Sequence, residues 1–234
     1  MITVYPFAKL GKANHGWLNA HHHFSFARYY NPARIGFGHL LVVNDDTVAP
    51  GMGFGTHHHE DMEIITYVRQ GAITHKDSLG NIGRTEAGDL QVMSAGTGIF
   101  HSEYNLETED TRLYQIWIEP SRIGVQPRWE TRRFPDKVTS DERLTLLVSG
   151  RAEDAESGAL FIHQDATIHG GRFTSGMSIH QPLHTSAYIL ASAGSLLING
   201  VRLDQGDGAE VVAEDILHIQ AESDAEVLVI EAGD

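Results

Sequence analysis

The chain contains no cysteine, and this excludes several kinds of chemistry at once. Disulfides, thiolate metal sites and cysteine nucleophiles are impossible, so a metal ion would have to be held by His, Asp or Glu. No run of about eighteen apolar residues is present, which predicts that the chain does not span a membrane. Residues 1–6 lack the basic flank and the apolar run of a signal peptide. These absences together predict a cytoplasmic protein.

Basic residues are also scarce. Seventeen Lys and Arg stand against thirty-one Asp and Glu, which gives a formal net charge of −14. A field of this sign repels the phosphates of nucleic acids, so we expect no direct binding to DNA or RNA. The same charge leaves a protein partner open, and we expect a monomer.

Short β-type segments and twenty-four glycines dominate instead, and helical periodicity is rare. Apolar runs at residues 40–43, 63–68, 113–118, 144–148, 196–198 and 226–230 are separated by turn signals. Asn199-Gly200, between two such runs, is a strong hairpin signal. Many short strands joined by turns predict an all-β chain of sandwiches or antiparallel barrels.

A faint internal repeat predicts two such units. Residues 68–74 and 86–90 correspond to residues 190–196 and 203–207, because each set contains a strand, a glycine turn, a second strand and a Gly-Asp turn. We expect the break within residues 119–138, which contain Pro120, Pro127 and Pro135. The predicted domains are therefore residues 1–130 and 131–234, two barrels in tandem.

Fifteen histidines are present, and their spacing selects four candidate metal ligands. In a strand, residues i and i+2 point to the same face, so His57 and His59 can converge, as can His101 and Glu103 from a neighbouring strand. Three imidazoles and a carboxylate suit a divalent transition metal such as iron, nickel, copper, cobalt, manganese or zinc. Four protein ligands leave coordination positions open for substrate and oxygen. The alternative is an edge strand with ordinary surface histidines, but two ligand-type pairs argue against it.

Other polar residues near these pairs are assigned lesser roles. Alternation turns His58 away from the ligands. Glu63 is expected on the same strand face as His59, where it would either be a further metal ligand or, as we prefer, accept a hydrogen bond that orients an imidazole. The internal patch at residues 21–23 has no carboxylate at strand spacing, so a metal role there is disfavoured. The aromatic residues that follow it, Phe24 and Phe26, are expected to line or cover a pocket.

The spacing of these residues resembles the motifs of the cupin barrels. Gly51, His57-x-His59, Glu63 and Gly71 resemble the first cupin motif, with a final interval one residue longer than usual. The stretch from Gly88 through Ser94-x-Gly96 and His101 to Asn105 resembles the second motif loosely, with Ser in place of the common Pro.

Glu103, two residues after His101, makes the chain similar to the pirin family in particular. Further resemblance lies at residues 14–17, 24–26, 44–46, 53–57, 61–64, 91–99 and 113–118, which cover much of the first 130 residues. The second half resembles the bacterial quercetinase-like branch more weakly, at residues 163–165 and 198–200.

The resemblance implies two tandem cupin domains with one metal, usually iron, in the N-terminal barrel. Carried over by motif position, its ligands are His57, His59, His101 and Glu103, the same four that the spacing selects. His58 stands where this family commonly has proline. The C-terminal half has no His-x-His and no equivalent Glu, which predicts a barrel that has lost its metal site.

The resemblance further implies a quercetin 2,3-dioxygenase, which cleaves a flavonol such as quercetin with O2. The metal would bind the deprotonated 3-hydroxyl group, and Glu103 would be the general base that accepts its proton. Aromatic residues would suit a flat polyphenol, with core packing as the alternative for each: Phe24, Phe26, Phe37 and Phe54. Two other functions stay open: a metal-dependent regulatory or redox protein with a protein partner, and an oxygenase or isomerase acting on another small enol or phenol.

Overall fold

The computed structural model describes residues 1–134, 139 and 143–233, and almost every regular element in it is a strand. The strands are β1 (Ile2–Tyr5), β2 (Gly11–Asn14), β3 (Leu18–His22), β4 (Leu40–Val48), β5 (Gly53–His59), β6 (Glu63–Gln70), β7 (Ala72–Asp77), β8 (Ile82–Glu86), β9 (Leu90–Ser94), β10 (Ile99–Tyr104), β11 (Thr111–Ile118), β12 (Arg128–Arg132), β13 (Thr145–Ser149), β14 (Leu160–Phe161), β15 (Thr167–Phe173), β16 (Ser178–Pro182), β17 (Ala187–Ala193), β18 (Ser195–Ile198), β19 (Val201–Asp204), β20 (Gly208–Val211), β21 (Ile216–Ala221) and β22 (Ala225–Glu231). Two single-turn 3-10 helices, Phe7–Lys9 and Ala152–Asp154, complete the list. No helix in the described part of the chain is both long enough and apolar enough to cross a membrane.

The strands form two barrels, each made of a seven-stranded and a four-stranded sheet. The first barrel has the orders β12-β9-β6-β11-β4-β3-β2 and β5-β10-β7-β8. The second has the orders β1-β20-β17-β22-β15-β13-β14 and β16-β21-β18-β19. The strand pairs are antiparallel apart from β13 with β14. The prediction of an all-β chain with two tandem cupin barrels is therefore confirmed.

The predicted internal repeat coincides with equivalent strands of the two barrels. Gly71 joins β6 to β7 with φ +72°, and Gly194 joins β17 to β18 with φ +67°. Both values lie in the left-handed region, which glycine adopts without the strain that a Cβ would add. The Asn199-Gly200 turn joins β18 to β19, as its hairpin signal predicts, with φ values of 48° and 80°.

Two strands complicate the division between the barrels. β12 pairs with β9 in the first barrel, whereas β1, at the other end of that half, pairs with β20 in the second. β12 spans the predicted boundary after residue 130, and residues 135–138 of the predicted break lie outside the described residues. That boundary stays a prediction.

The main hydrophobic core lies between the two seven-stranded sheets, which pack face to face. The first barrel contributes residues such as Ile65 and Tyr114, and the second contributes residues such as Tyr188 and Leu228, all fully buried. A separate cluster that includes Ile189 fills the interior of the second barrel. The apolar clusters on the inner side of the first barrel are much smaller, which leaves its interior to polar side chains and a cavity.

Candidate metal centre

Strands β5 and β10 bring three of the predicted ligands together. The two strands are antiparallel, and their register places His101 directly opposite His57 and Ile99 opposite His59. Burial alternates along β10, with His101 and Glu103 inside and Phe100 and Tyr104 outside. Because side chains alternate in a strand, His57, His59 and His101 all point into the first barrel.

The three imidazoles have the separation expected of ligands to a single ion. One ligand nitrogen from each of His57, His59 and His101 lies within 4.8 Å of the others. The Nε2 atoms of His57 and His101 are 3.1 Å apart. Two nitrogens each about 2.1 Å from a metal and at right angles would be about 3 Å apart. Within the described residues no other group of three or more His, Asp or Glu side chains meets this distance.

Burial favours the neutral forms of His59 and His101, and a neutral imidazole is the form that binds a metal. Burial and, to a smaller extent, the neighbouring His57 and His58 together lower the pKa of His59 to about 4. Burial likewise lowers the pKa of His101 to about 3. The Nδ1 of His57 lies 2.7 Å from the carbonyl oxygen of Gly55, so an N–H there leaves Nε2 free as a ligand atom.

Glu103 lies deeper in the barrel and is not one of the atoms in this 4.8 Å cluster. Its Oε1 accepts hydrogen bonds from Thr66 and Gln91, at 3.2 and 2.6 Å, and its Oε2 accepts one from Gln115 at 2.9 Å. The side chain is 1% exposed, and burial raises its pKa to about 7. No ion pair among the described residues involves Glu103. This buried carboxylate has three neutral hydrogen-bond donors and, within those residues, no cationic side chain beside it. Because a buried charge is normally paired, the arrangement suits a site that binds a cation.

The three donors belong to a row of polar residues that crosses the floor of the first barrel. Five adjacent strands each contribute one residue, and these residues are directly opposite one another in the strand register. They are His22 on β3, Asn44 on β4, Gln115 on β11, Thr66 on β6 and Gln91 on β9. We call this set the polar row. Within this row the His22 Nδ1 lies 2.7 Å from the Asn44 Oδ1, and the Gln91 Nε2 donates a hydrogen bond of 3.3 Å to the Thr66 Oγ1. A continuous row of this kind is visible only once the register is known.

Two residues that were not predicted from the sequence, His75 and Asp77, lie on the Nδ1 side of the His101 ring and orient it. The Nδ1 of His75 is 3.4 Å from the Nδ1 of His101, and the Nε2 of His75 is 3.0 Å from the Oδ2 of Asp77. With the His75 Nε2–H donated to the carboxylate, its Nδ1 is an acceptor, so the His101 Nδ1 carries the proton and its Nε2 is left to bind. His75 also stacks on Trp129, with ring planes 6° apart. The i, i+2 spacing of His75 and Asp77 on β7 is the signal that could have found them.

The expectation for Glu63 is wrong. β5 ends at His59 and β6 begins at Glu63, because the chain turns at Asp61, whose φ is 44°. Glu63 is therefore not on the same strand as the histidines. Its Oε2 accepts a hydrogen bond of 2.7 Å from Ser94, and the backbone of His163 contributes another, so it does not orient an imidazole.

His58 faces outward, as alternation predicts. It is exposed and packs against Phe100 on the outer side of the same sheet, with ring centroids 4.8 Å apart. In the patch at residues 21–23, His22 joins the polar row, whereas the buried His23 points to the opposite face and contacts Tyr188.

A cavity of about 380 Å³ opens beside the histidines. Its walls include His57 and His59 and six other side chains that matter here: Trp17, Phe26, Asp46, Phe54, Gln115 and Trp117. Two of the four aromatics expected at a pocket, Phe26 and Phe54, line it. The other two do not, because Phe24 and Phe37 pack in the core between the barrels. Trp17 and Trp117 were not selected, although Trp117 lies at the i+2 position from Gln115 on β11.

Comparison with known proteins identifies the family. The pirin family profile matches residues 5–118, and the profile of the quercetinase C-terminal cupin domain matches residues 146–232. A Pseudomonas aeruginosa protein named provisionally as a quercetin 2,3-dioxygenase is 55% identical over 99% of both chains. A protein of Escherichia coli K12 named quercetin 2,3-dioxygenase is 45% identical, over 99% of this chain and 98% of its own. This chain therefore belongs to the pirin family.

A solved structure supports the same conclusion. The crystal structure of the E. coli bacterial pirin YhhW in complex with nickel(II) is similar to this chain with a TM-score of 0.92 and 42% identity. The match covers 100% of this chain and 99% of that one. The fold, the family and a histidine cluster able to hold a metal thus agree.

Proposed function

We propose that this protein is a metal-dependent dioxygenase that cleaves a flavonol such as quercetin with O2. The observation that carries the proposal is the position of the histidine cluster, since His57 and His59 line an aromatic-walled cavity. Its volume of about 380 Å³ falls within the range of about 300–1,000 Å³ typical of small-molecule sites. The name of the E. coli relative, quercetin 2,3-dioxygenase, supports the reaction class.

The proposed ligands are His57, His59, His101 and Glu103, and together they would hold one divalent ion. Iron is our first choice because the resemblance to pirins implies it. Nickel, copper, cobalt, manganese and zinc also suit a set of imidazoles and a carboxylate. The nickel(II) complex of the E. coli pirin supports a site of this chemical type.

The chain's own residues would bind and orient the substrate. The aromatic side chains of the cavity, Trp17, Phe26, Phe54 and Trp117, offer flat apolar surfaces to the rings of a polyphenol and exclude water. A bound divalent ion supplies Lewis-acid chemistry that lowers the pKa of a substrate hydroxyl group. Glu103 is the proposed general base, accepting that proton at its carboxylate. Donors from Gln91 and Gln115 would hold the carboxylate in place.

The test compares two single substitutions on neighbouring strands. Wild-type protein loaded with each candidate metal is mixed with quercetin under air, and the loss of the visible band, oxygen uptake and carbon monoxide release are measured. We expect His101→Ala to abolish turnover because it removes a ligand. The matched control His58→Ala should keep wild-type turnover, because His58 lies on the outer face of the sheet.

Normal turnover by His101→Ala would contradict the site assignment. No turnover by wild-type protein with any metal would contradict the flavonol reaction and favour the alternatives. Metal-dependent capture of a protein partner would then indicate a regulatory or redox protein. Turnover of another enol or phenol would indicate a different oxygenase or isomerase.

A further inference from the structure

One buried acid in the cavity is not among the proposed metal ligands. Asp46 lies on β4, and the alternation of that strand places Asn44 and Asp46 on the cavity side. Asp45, between them, points the other way and pairs with Arg69 towards the second barrel. Asp46 is only 2% exposed, yet it belongs to the cavity wall beside Gln115.

The strand register explains why the Oδ1 of Asp46 has no hydrogen-bond partner among the described residues. Its cross-strand neighbours are Ala20 on β3 and Leu113 on β11, and neither side chain can form a hydrogen bond. The polar row includes Asn44, two residues earlier on β4, and does not include Asp46. In the part of the chain that the structure describes, the Oδ1 of Asp46 is a buried atom without a hydrogen-bond partner. Buried polar groups are normally paired, so an unpaired atom in a residue of the cavity wall calls for an explanation.

The protonation state of Asp46 suits hydrogen bonding rather than charge pairing. Burial, and then the negative charges of Asp45 and Glu103, raise the pKa of Asp46 to about 8, although Arg69 opposes the shift. The raised pKa favours the protonated carboxyl group over the carboxylate. The protonated group has an O–H donor as well as acceptor oxygens, so it can hydrogen-bond a hydroxyl group of a ligand in the cavity.

We propose that Asp46 is a substrate-recognition residue whose carboxyl group hydrogen-bonds a ring hydroxyl of a polyhydroxylated aromatic ligand. This inference rests on the proposed function, which supplies the ligand class. It adds a requirement, namely that the ligand carries a hydroxyl group beyond the oxygens that reach the metal. The aromatic walls bind any flat ring, whereas Asp46 distinguishes rings by their hydroxyl groups.

Binding of two flavonols tests the inference without turnover. Metal-loaded protein is titrated without oxygen with quercetin and with 3-hydroxyflavone, which keeps the metal-binding oxygens but lacks the other hydroxyl groups. We expect wild-type protein to bind quercetin more tightly. Asp46→Leu should weaken quercetin binding about two- to thirteenfold, the range of one neutral hydrogen bond. It should leave the dissociation constant of 3-hydroxyflavone unchanged or lower.

Asp46→Asn is the matched variant, because its amide keeps a donor and an acceptor in the same shape. It should retain most of the preference for quercetin. The leucine variant should melt at the wild-type temperature or higher, because the Asp46 Oδ1 has no hydrogen bond to lose among the described residues. If leucine is not accommodated, Asp46→Ala should show the same pattern of binding.

Equal weakening of both ligands by Asp46→Leu, or no change in quercetin binding, would overturn the inference. So would a wild-type protein that binds both ligands equally or binds neither. The outcomes also separate the two proposals. Hydroxyl-dependent binding without turnover under air would contradict only the dioxygenase function, whereas turnover without any preference would contradict only the role of Asp46.

Discussion

His101 is the side chain on which the contacts of the candidate centre converge. Its Nε2 faces the Nε2 of His57, and its Nδ1 faces His75, which is itself tied to Asp77. The Asp77 carboxylate accepts further hydrogen bonds from the backbone N–H groups of Leu79 and Asn81. The orientation of His101 is thus set by residues that would never touch a metal, and partners of this kind tune the affinity of metal sites.

This arrangement predicts the effect of His75→Phe. Phenylalanine keeps a ring against Trp129 but cannot accept the proton of the His101 Nδ1, so the metal-binding orientation of His101 is no longer enforced. We expect metal affinity to fall about 10- to 100-fold, measured by competition with a chelator. The melting temperature of the metal-free variant checks that the barrel is intact.

The control for this experiment is His58→Phe, which alters an imidazole on the outer face of β5. It should bind metal with wild-type affinity. Wild-type affinity in the His75 variant would show that His75 only fills space.

Among the site residues, the sequence predicts those that occur at a ligand-type spacing and misses those that depend on the strand register. His57, His59 and His101 could be selected because a repeated i, i+2 spacing of ligand-type residues is rare. Asp46 could not be selected from the sequence. The residues around a single acid in a strand show the same pattern whether its side chain contacts a protein partner or a cavity. Only the register, which places Ala20 and Leu113 beside it, separates the two cases.

Among the elements, the pairing of β5 with β10 determines how the histidines meet. The register shifts between His101 and Glu103, so the strands depart from a regular ladder next to the ligands. At the end of this pair, Gly53 lies opposite Tyr104, and a Cβ on Gly53 would stand 2.2 Å from the Glu103 carbonyl oxygen. The close approach of the two strands requires a glycine at this position.

Gly53→Ala should therefore push β5 away from β10. We expect a loss of about 1–3 kcal/mol in the free energy of unfolding, the usual range for overpacking, and weaker metal binding because both strands carry ligands. Denaturant unfolding and metal titration measure the two effects. Gly55→Ala, on the same strand, is the matched control, since its nearest contact would be the Tyr104 hydroxyl at 3.7 Å. Equal behaviour of the two variants would contradict the account of this strand pair.

Strands were predicted better than the connections between them. Apolar runs such as residues 63–68 and 113–118 lie within β6 and β11 because their pattern reflects burial, which the sequence records directly. The break between His59 and Glu63 was missed because no glycine or proline marks it. It is fixed by longer-range contacts, including the hydrogen bond that the Gly124 N–H donates to the Asp61 carboxylate at 2.6 Å.

The two barrels of the whole molecule have similar sheet orders and contrasting interiors, partly polar in the first and apolar in the second. Inward positions of β21 and β18 are aliphatic, with Leu217, Ile219 and Ile198 fully buried in a continuous core. The equivalent strands of the first barrel, β10 and β7, carry His101, Glu103, His75 and Asp77. The interior of the second barrel is therefore a packed apolar core, and its described residues form no cluster of three His, Asp or Glu side chains. The hydrophobic core between the barrels joins them into one molecule. It could not be predicted from the pattern of the strands alone, because that pattern does not show which sheet faces pack together.

One ion per chain, bound only in the first barrel, is the central claim. Protein loaded with iron or nickel should be crystallised, its metal content measured, and the ion located by anomalous diffraction at the metal edge. The account predicts a single anomalous peak about 2.0–2.2 Å from nitrogens of His57, His59 and His101, with Glu103 as the fourth ligand and the cavity beside it. An ion bound elsewhere in the chain, or no ion between these histidines after loading, would contradict it.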